Sequence, residues 1–343
     1  MTETSVNAKS AIKSSLVNLG GILLLFAVAM LLMQAGVINN YYEGIVISIC
    51  INIILAASLN ITTGFLGQIA LGHAGFMSIG AYSAALFAKA ASDMPDFPRF
   101  IISLLIGGAI AAMFGVLVGI PALRLKGDYL AIITLGFGEI IRVVIENLDF
   151  TGGAQGLRQI PKYAAFPVVF FVMILCVCIL YTFVRSRHGR AITAIREDDI
   201  ASEASGLSNT YYKVLAFTVA SFFAGVAGGV YAQYIGLLSA RSFNFMKSID
   251  ILVIVVLGGM GSLTGSIVAA IGLTILPELL RGFADYRMLI YSVALIVVMI
   301  FKPSGLFGRY EFSLTRALRW LKNRFGKTSP TSELPVKEGA EDE

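Results

Sequence analysis

The chain has 343 residues, of which 57% are hydrophobic and 14% charged, with a net charge of +5 and a mean hydropathy of +0.81. Soluble domains carry about 25% charged residues, so this deficit, spread over many apolar runs, excludes a soluble enzyme and implies an integral membrane protein with several spans. The positive balance is not a nucleic-acid footprint, because most basic residues sit in loops and at the ends, as the positive-inside rule expects.

In chain order, an N-terminal arm (1–15) carries Lys9 and Lys13 and precedes the first apolar run, Leu16 to Met33. That run is long enough to span and lacks a small-residue cleavage site, so it reads as a retained helix. Ten spans can be drawn, at about 16–34, 44–62, 70–90, 100–120, 128–147, 166–184, 214–236, 249–260, 264–281 and 287–302. The fold class expected is therefore all-α: a polytopic membrane helix bundle of about ten transmembrane helices filling 16–309, with both termini cytoplasmic. This orientation puts Arg124 and Lys126, the cluster Arg185, Arg187, Arg190 and Arg196, and the tail inside; Arg158, Lys162, Arg241 and Lys247 fall outside, against the rule. Cys50, Cys176 and Cys178 lie in apolar runs without metal-ligand spacing and read as small core residues.

Rows of small residues mark close helix packing: Gly107, Ala111, Gly115 and Gly119, and then Ser221, Gly225 and Gly229. Two glycine-rich interruptions, Gly64 to Gly80 and Gly258 to Gly265, fall in comparable places between apolar runs. Such a pair points to a pseudo-repeat with its pathway near the midplane. Whether the flanking segments cross fully or fold back as re-entrant hairpins stays open. After Lys302-Pro303-Ser304-Gly305, residues 310–327 read as an amphipathic helix on the cytoplasmic leaflet: Leu314, Leu318, Leu321 and Phe325 share one face, and Arg316, Arg319, Lys322 and Arg324 meet lipid headgroups. Residues 328–343 are polar and acidic and read as disordered.

Little in the chain suggests chemistry. Gly326-Lys327-Thr328 mimics the end of a phosphate-binding loop, but Leu321 stands where the first glycine is needed. The chain is expected to bind no cofactor and no metal; any ATP and Mg would sit on partners. Of two histidines, His188 lies in the basic loop and His73 among glycines, with no acid or cysteine to complete a metal site or triad, and Ser78 has no base at a recognisable spacing. His73 reads either as a packed, hydrogen-bonded group or as part of a pathway. Glu139, Arg142 and Glu146, at i, i+3 and i+7, can pair along one helix face. A charge at the bilayer centre costs about 2.5–3.5 kcal/mol, so they read as an interfacial ion ladder or as part of an outer gate.

The densest charged segment is the loop 185–213, VRSRHGRAITAIREDDIASEASGLSNTYYK with Val184 before it. Arg185, Arg187 and Arg190 anchor the preceding span at the inner face. A short helix is expected from Asp198 to Ser205, with acids at its start, Gly206 at its C-terminal end, and Ile200, Ala201 and Ala204 as an apolar stripe. A helix of two turns is marginal in water, so it reads either as a solvated loop or as a docking element.

Taken with this loop, the stretches GFLGQIALGHAGFMSIGAY (Gly64 to Tyr82), GDYLAIITLGFGEIIR (Gly127 to Arg142), TGGAQGL (Thr151 to Leu157), VVLGGMGSLTGSIVAA (Val255 to Ala270) and KPSGLFGR (Lys302 to Arg309) occur in the order found in one family. The chain resembles the LivM-type permeases of branched-chain amino acid ABC importers over about 44–309; Ser205, between Ala204 and Gly206, departs slightly from the importers' loop pattern. The resemblance implies a non-enzymatic transport subunit of a bacterial inner membrane, paired with a LivH-like permease. Two cytoplasmic ATPases would drive it and an external binding protein would deliver branched-chain or related hydrophobic amino acids. It implies that Arg196, Glu197, Asp198, Asp199, Glu203, Ala204 and Gly206 couple the chain to an ATPase. Polarity alone places Asn60, Gln68 and His73 near a path. Alternatives are a same-family permease for urea or short amides, a stand-alone secondary transporter, and, on His73 and Ser78 only, an intramembrane enzyme.

Overall fold

The computed structural model describes residues 39–283 apart from 123, 124 and 126, together with Met30 and scattered positions between 286 and 308. The N-terminal arm, nearly all of the first expected span, Arg124, Lys126, the 310–327 helix and the 328–343 tail lie outside the described residues, and the span expected at 287–302 is described only at isolated positions. Residues 32–311 form one compact unit.

Among the described residues the chain is helical, apart from 3-10 turns and an isolated antiparallel bridge between Leu157 and Leu238. Helix α1 (Asn40–Asn60) runs into a π-helical turn (Ile61–Phe65); α2 (His73–Ala90), α3 (Asp96–Ala122), α4 (Asp128–Asn147) and α5 (Phe166–Arg185) follow. Two short helices, α6 (Arg187–Glu197) and α7 (Asp199–Ala204), lead to α8 (Asn209–Ile235), α9 (Phe245–Gly258) and α10 (Leu263–Leu279). Among the described residues, four segments are long and apolar enough to cross a membrane: Tyr41–Phe65, Asp96–Ala122, Phe166–Arg185 and Asn209–Ile235. The chain is thus a multi-pass helical bundle. At 1.5 Å per residue α9 spans about 21 Å and α10 about 26 Å, short of a hydrocarbon core of about 30 Å.

The centre of the bundle is α2, α3 and α8, and its cause is glycine. A methyl on Gly80 would overlap the Gly225 backbone, and one on Gly225 would strike Ala111 and the Gly107 carbonyl. Gly107 lies against the Gly80 carbonyl, Gly228 against that of Met77, and Gly115 against Ser221. The two small-residue rows expected from sequence therefore face each other, with α2 wedged beside them, at separations only small side chains permit. One polar bond crosses this core, from Gln233 Nε2 to Ser103 Oγ at 2.6 Å, and both residues are fully buried. Helix α5 is the opposite case: only 17% of its apolar window is buried, and Phe171, Leu175 and Ile179 face outward as a lipid-facing helix requires.

Candidate functional site

Two interrupted helices meet. The first break follows α1, where the π-helical turn closes with Leu66 N–H donating to Ile61 O and Gln68 N–H to Thr62 O, and Gly67 takes φ +76°. The second lies between α9 and α10, where Gly259 (φ +117°) and Gly261 (φ +94°) occupy backbone regions that favour glycine. Asn60, fully buried, joins them: its Nδ2 donates to Ser262 O at 2.9 Å and Ser266 Oγ at 2.8 Å, and its Oδ1 accepts from Gly261 N–H at 2.9 Å. Ser262 also caps α10 by accepting from Gly265 N–H. A side chain on Gly64 would collide with Asn60 Oδ1 and Gly261 N, so the breaks pack directly on each other.

His73 opens α2 and is buried, with its Nε2 2.9 Å from Ser58 Oγ on α1. The start of α2 is held from outside its own helix: Leu71 N–H donates to Thr134 Oγ1 and Ala74 N–H to Ser248 Oγ. The second bond satisfies an amide that a helix start leaves without an intrahelical partner, and the first holds the chain just before it. Ser78 Oγ is buried without a partner. Gln68 sits on the loop between α1 and α2, half-buried, with an unpartnered amide oxygen. The three residues singled out by polarity thus share one interrupted segment, but Asn60 and His73 bond to different neighbours.

The ion ladder is formed. Arg142 Nε lies 2.7 Å from Glu139 Oε2 and its Nη1 3.0 Å from Glu146 Oε2. Its acids reach further: Glu146 Oε1 takes Arg241 Nε at 3.0 Å, and Glu139 Oε1 accepts from Phe245 N–H at 3.0 Å. The ladder therefore clamps the α8–α9 connection to the end of α4. Beside it, Leu157 and Leu238 exchange backbone bonds at 2.9 Å, and Thr151 Oγ1 bonds the Ile145 and Leu148 carbonyls. Arg241 was legible only as a misplaced outer cation; its partner lies 95 residues away, a separation that no local pattern reveals.

The 185–213 loop is built as two helices, one more than expected. Ser186 caps α6 by accepting from Gly189 N–H at 3.3 Å, and Ala191, Ile192 and Ile195 are buried. Asp198 ends α6, its N–H on Ala194 O, and starts α7, its Oδ1 accepting from Ile200 and Ala201 N–H at 2.9 Å. Gly206 (φ +83°) closes α7 with Leu207 N–H bonded back to Ser202 O, a glycine-capped helix end. Asp199 points inward: it accepts from Asn209 Nδ2 at 2.8 Å and pairs with the buried Lys213 at 3.0 Å. Arg196 also points inward and donates to Gly64 O at the first break. The outer surface of the loop comprises Glu197, Glu203, Ala204, Ser205 and Gly206, with Ala201 and Ile200, the latter 80% exposed. The seven loop residues named from the resemblance thus divide into Arg196, Asp198 and Asp199, which build the unit, and Glu197, Glu203, Ala204 and Gly206, which face out.

Residues 41–301 match the family described as branched-chain amino acid transport system / permease component. The chain is 39% identical over 312 residues to the high-affinity branched-chain amino acid transport system permease protein LivM of Escherichia coli (strain K12), covering 81% of this chain and 71% of that one. It is likewise 39% identical to LivM of Salmonella typhimurium over 291 residues, 75% of this chain and 67% of that one. The E. coli permease protein LivH is 30% identical over 147 residues, 42% of this chain and 47% of that one. No solved structure matches.

Proposed function

The chain belongs to the permease-component family of branched-chain amino acid transport systems and is a transport permease subunit, and on that premise we propose that it forms one half of an ATP-driven import pathway, with α7 as its docking point for a nucleotide-hydrolysing partner. The observation that carries this is the construction of the 185–213 loop. Caps and inward ion pairs fix α6 and α7, while Ile200, a large apolar side chain, is left 80% exposed beside Ala201 and Ala204. An apolar knob on a rigid mount is what a partner cleft takes.

The other half is a second, homologous permease; similarity to both LivM and LivH proteins supports a pair of related subunits. Two cytoplasmic ATPases hold ATP and Mg, and an external binding protein delivers a branched-chain or related hydrophobic amino acid. The loop then faces the cytoplasm of a bacterium, across the inner membrane. ATP binding, by closing the ATPase pair, favours one permease state, and hydrolysis favours the other; each shifts the balance only by its differential affinity for the two states.

The test is purification of this chain from its native membrane in mild detergent, then reconstitution of whatever co-purifies. A second permease and ATPases should be recovered, and the assembly should take up leucine with ATP. Uptake by the chain alone under an ion gradient would transfer it to the secondary transporters. ATP-dependent uptake of urea or short amides in place of leucine would move the substrate within the family.

A further inference from the structure

Arg196 touches both helix breaks. Its Nη1 donates to the Gly64 carbonyl in the π-helical turn after α1. Its stem covers Gly67, where an added Cβ would come within 2.8 Å of Arg196 Cγ, and its Nη1 faces Gly261, where an added Cβ would come within 2.9 Å. Gly67 and Gly261 both hold positive φ, +76° and +94°. Glycine at these positions therefore allows the turn and also leaves room for the arginine. Carbonyls at a helix C-terminus lack the amide partners of a continuing helix, and a cation there meets the negative end of the helix dipole. A guanidinium suits this place better than an ammonium, because its planar fork holds several donors in fixed directions.

Arg196 is also two residues from Asp198, which caps α7 while ending α6. Movement of α7 as a body therefore moves the backbone that carries the guanidinium. Asn60 holds the breaks to each other, so whatever shifts one presses on the other.

We propose that Arg196 is a positioning residue that ties the α6–α7 unit to both helix breaks, so that displacement of α7 by a docked partner moves the two breaks together. This rests on the reading that α7 docks a nucleotide-hydrolysing partner. In place of a surface contact with that partner, the arginine is an internal strut, and the signal it carries ends at Gly64 and Gly261.

The experiment uses the assembled transporter in lipid vesicles, with leucine uptake and ATP hydrolysis measured on one preparation of wild type, Arg196→Ala, Arg196→Gln and Arg196→Lys. Uptake per ATP hydrolysed should fall about tenfold in Arg196→Ala, the size of one hydrogen bond of ordinary strength. It should fall about as far in Arg196→Gln, whose amide is two bonds too short to reach Gly64 O, and less in Arg196→Lys, which keeps the charge and a donor. An unchanged ratio in all three would overturn the proposal. So would loss of the ATPases on purification of the variants, because Arg196 would then belong to the docking surface. If Arg196→Ala does not accumulate, the other two variants decide by the same ratio. Absence of ATP-dependent uptake in the wild-type assembly would sink the functional reading instead. The strut is then tested on the full chain alone by thiol labelling of Ile69→Cys, at an exposed site on the first break. The labelling rate should change when Arg196→Gln is added to Ile69→Cys, and equal rates with and without it would overturn the contact.

Discussion

The α2/α3/α8 core and the paired breaks solve the same problem, bringing helices together in lipid, by opposite means. In the core, backbone meets backbone at Gly80, Gly107, Gly225 and Gly228, and the fit is steric. At the breaks, the contacts are directional: three hydrogen bonds made by Asn60 and one by Arg196. Close packing tolerates one arrangement and resists intermediate ones, whereas a buried hydrogen bond specifies its partners, because a donor or acceptor left unpaired there costs about 1–3 kcal/mol. The difference is one of kind: the core is a frame held by shape, and the breaks are joined by named polar partners.

Substitution in the frame should have the largest effect. Gly225→Val would drive a branched side chain into Ala111 and the Gly107 carbonyl. Overpacking costs about 1–3 kcal/mol even where a core can yield, and occasionally more; here backbone is the obstacle. The variant should accumulate poorly and melt well below wild type in detergent. A wild-type melting temperature would mean that α3 and α8 are not locked together, and the contrast between frame and breaks would collapse.

Asn60→Ala removes the staple and, being smaller, creates no clash. It leaves Gly261 N–H and Ser262 O buried without that partner, at about 1–3 kcal/mol. The protein should fold, with a measurable loss of thermal stability, and Asn60→Asp, which keeps the acceptor for Gly261 N–H but sets a buried carboxylate against Ser262 O, should lose more. A smaller loss in Asn60→Asp would show that the accepted bond matters more than the donated ones.

These two regions were unequally legible in the sequence. The rows of small residues at four-residue spacing announced the frame, because helical periodicity alone sets which residues share a face. The interruptions were visible as glycine-rich stretches, but not that they meet: Asn60 and Ser262 are separated by 202 residues, and nothing local says that an asparagine ending one helix bonds the turn of another. The loop shows the same division on a small scale. The short helix near Asp198 to Ser205 and its glycine end were readable from capping chemistry, and it forms as Asp199–Ala204 with Asp198 as cap. The preceding helix, Arg187–Glu197, was missed, because its arginines read as membrane anchors. The inward turn of Arg196 and Asp199 was hidden too, since a charge in a charged run looks solvated until its partners are known.

On the outer face of the loop the expected effect on stability is near zero. Ile200→Asp removes no packing from the folded chain and should leave its stability within about 0.5 kcal/mol of wild type, as exposed positions usually do. It should still cut recovery of the ATPases on purification. Full recovery of the assembly would assign docking to another surface and leave the loop a solvated connection.

The ion ladder on α4 separates two kinds of ion pair. Arg241 is 75% exposed at its side chain, so its bond to Glu146 competes with water and salt. Arg241→Ala should cost about 0–1 kcal/mol and become silent at high ionic strength. Arg142 is different: it lies between Glu139 and Glu146, all three partly buried. Removing it leaves two carboxylates without the cation between them while Glu139 still holds the Phe245 amide. Arg142→Ala should therefore cost more than Arg241→Ala, and a thermal melt with and without added salt should show the cost persisting, because partly buried charges are screened less. If salt erases both losses alike, the ladder is a surface ornament of α4. If it erases only that of Arg241, Arg142 is what fixes the end of α4 against the start of α9, and through α9 sets the position from which the second break begins.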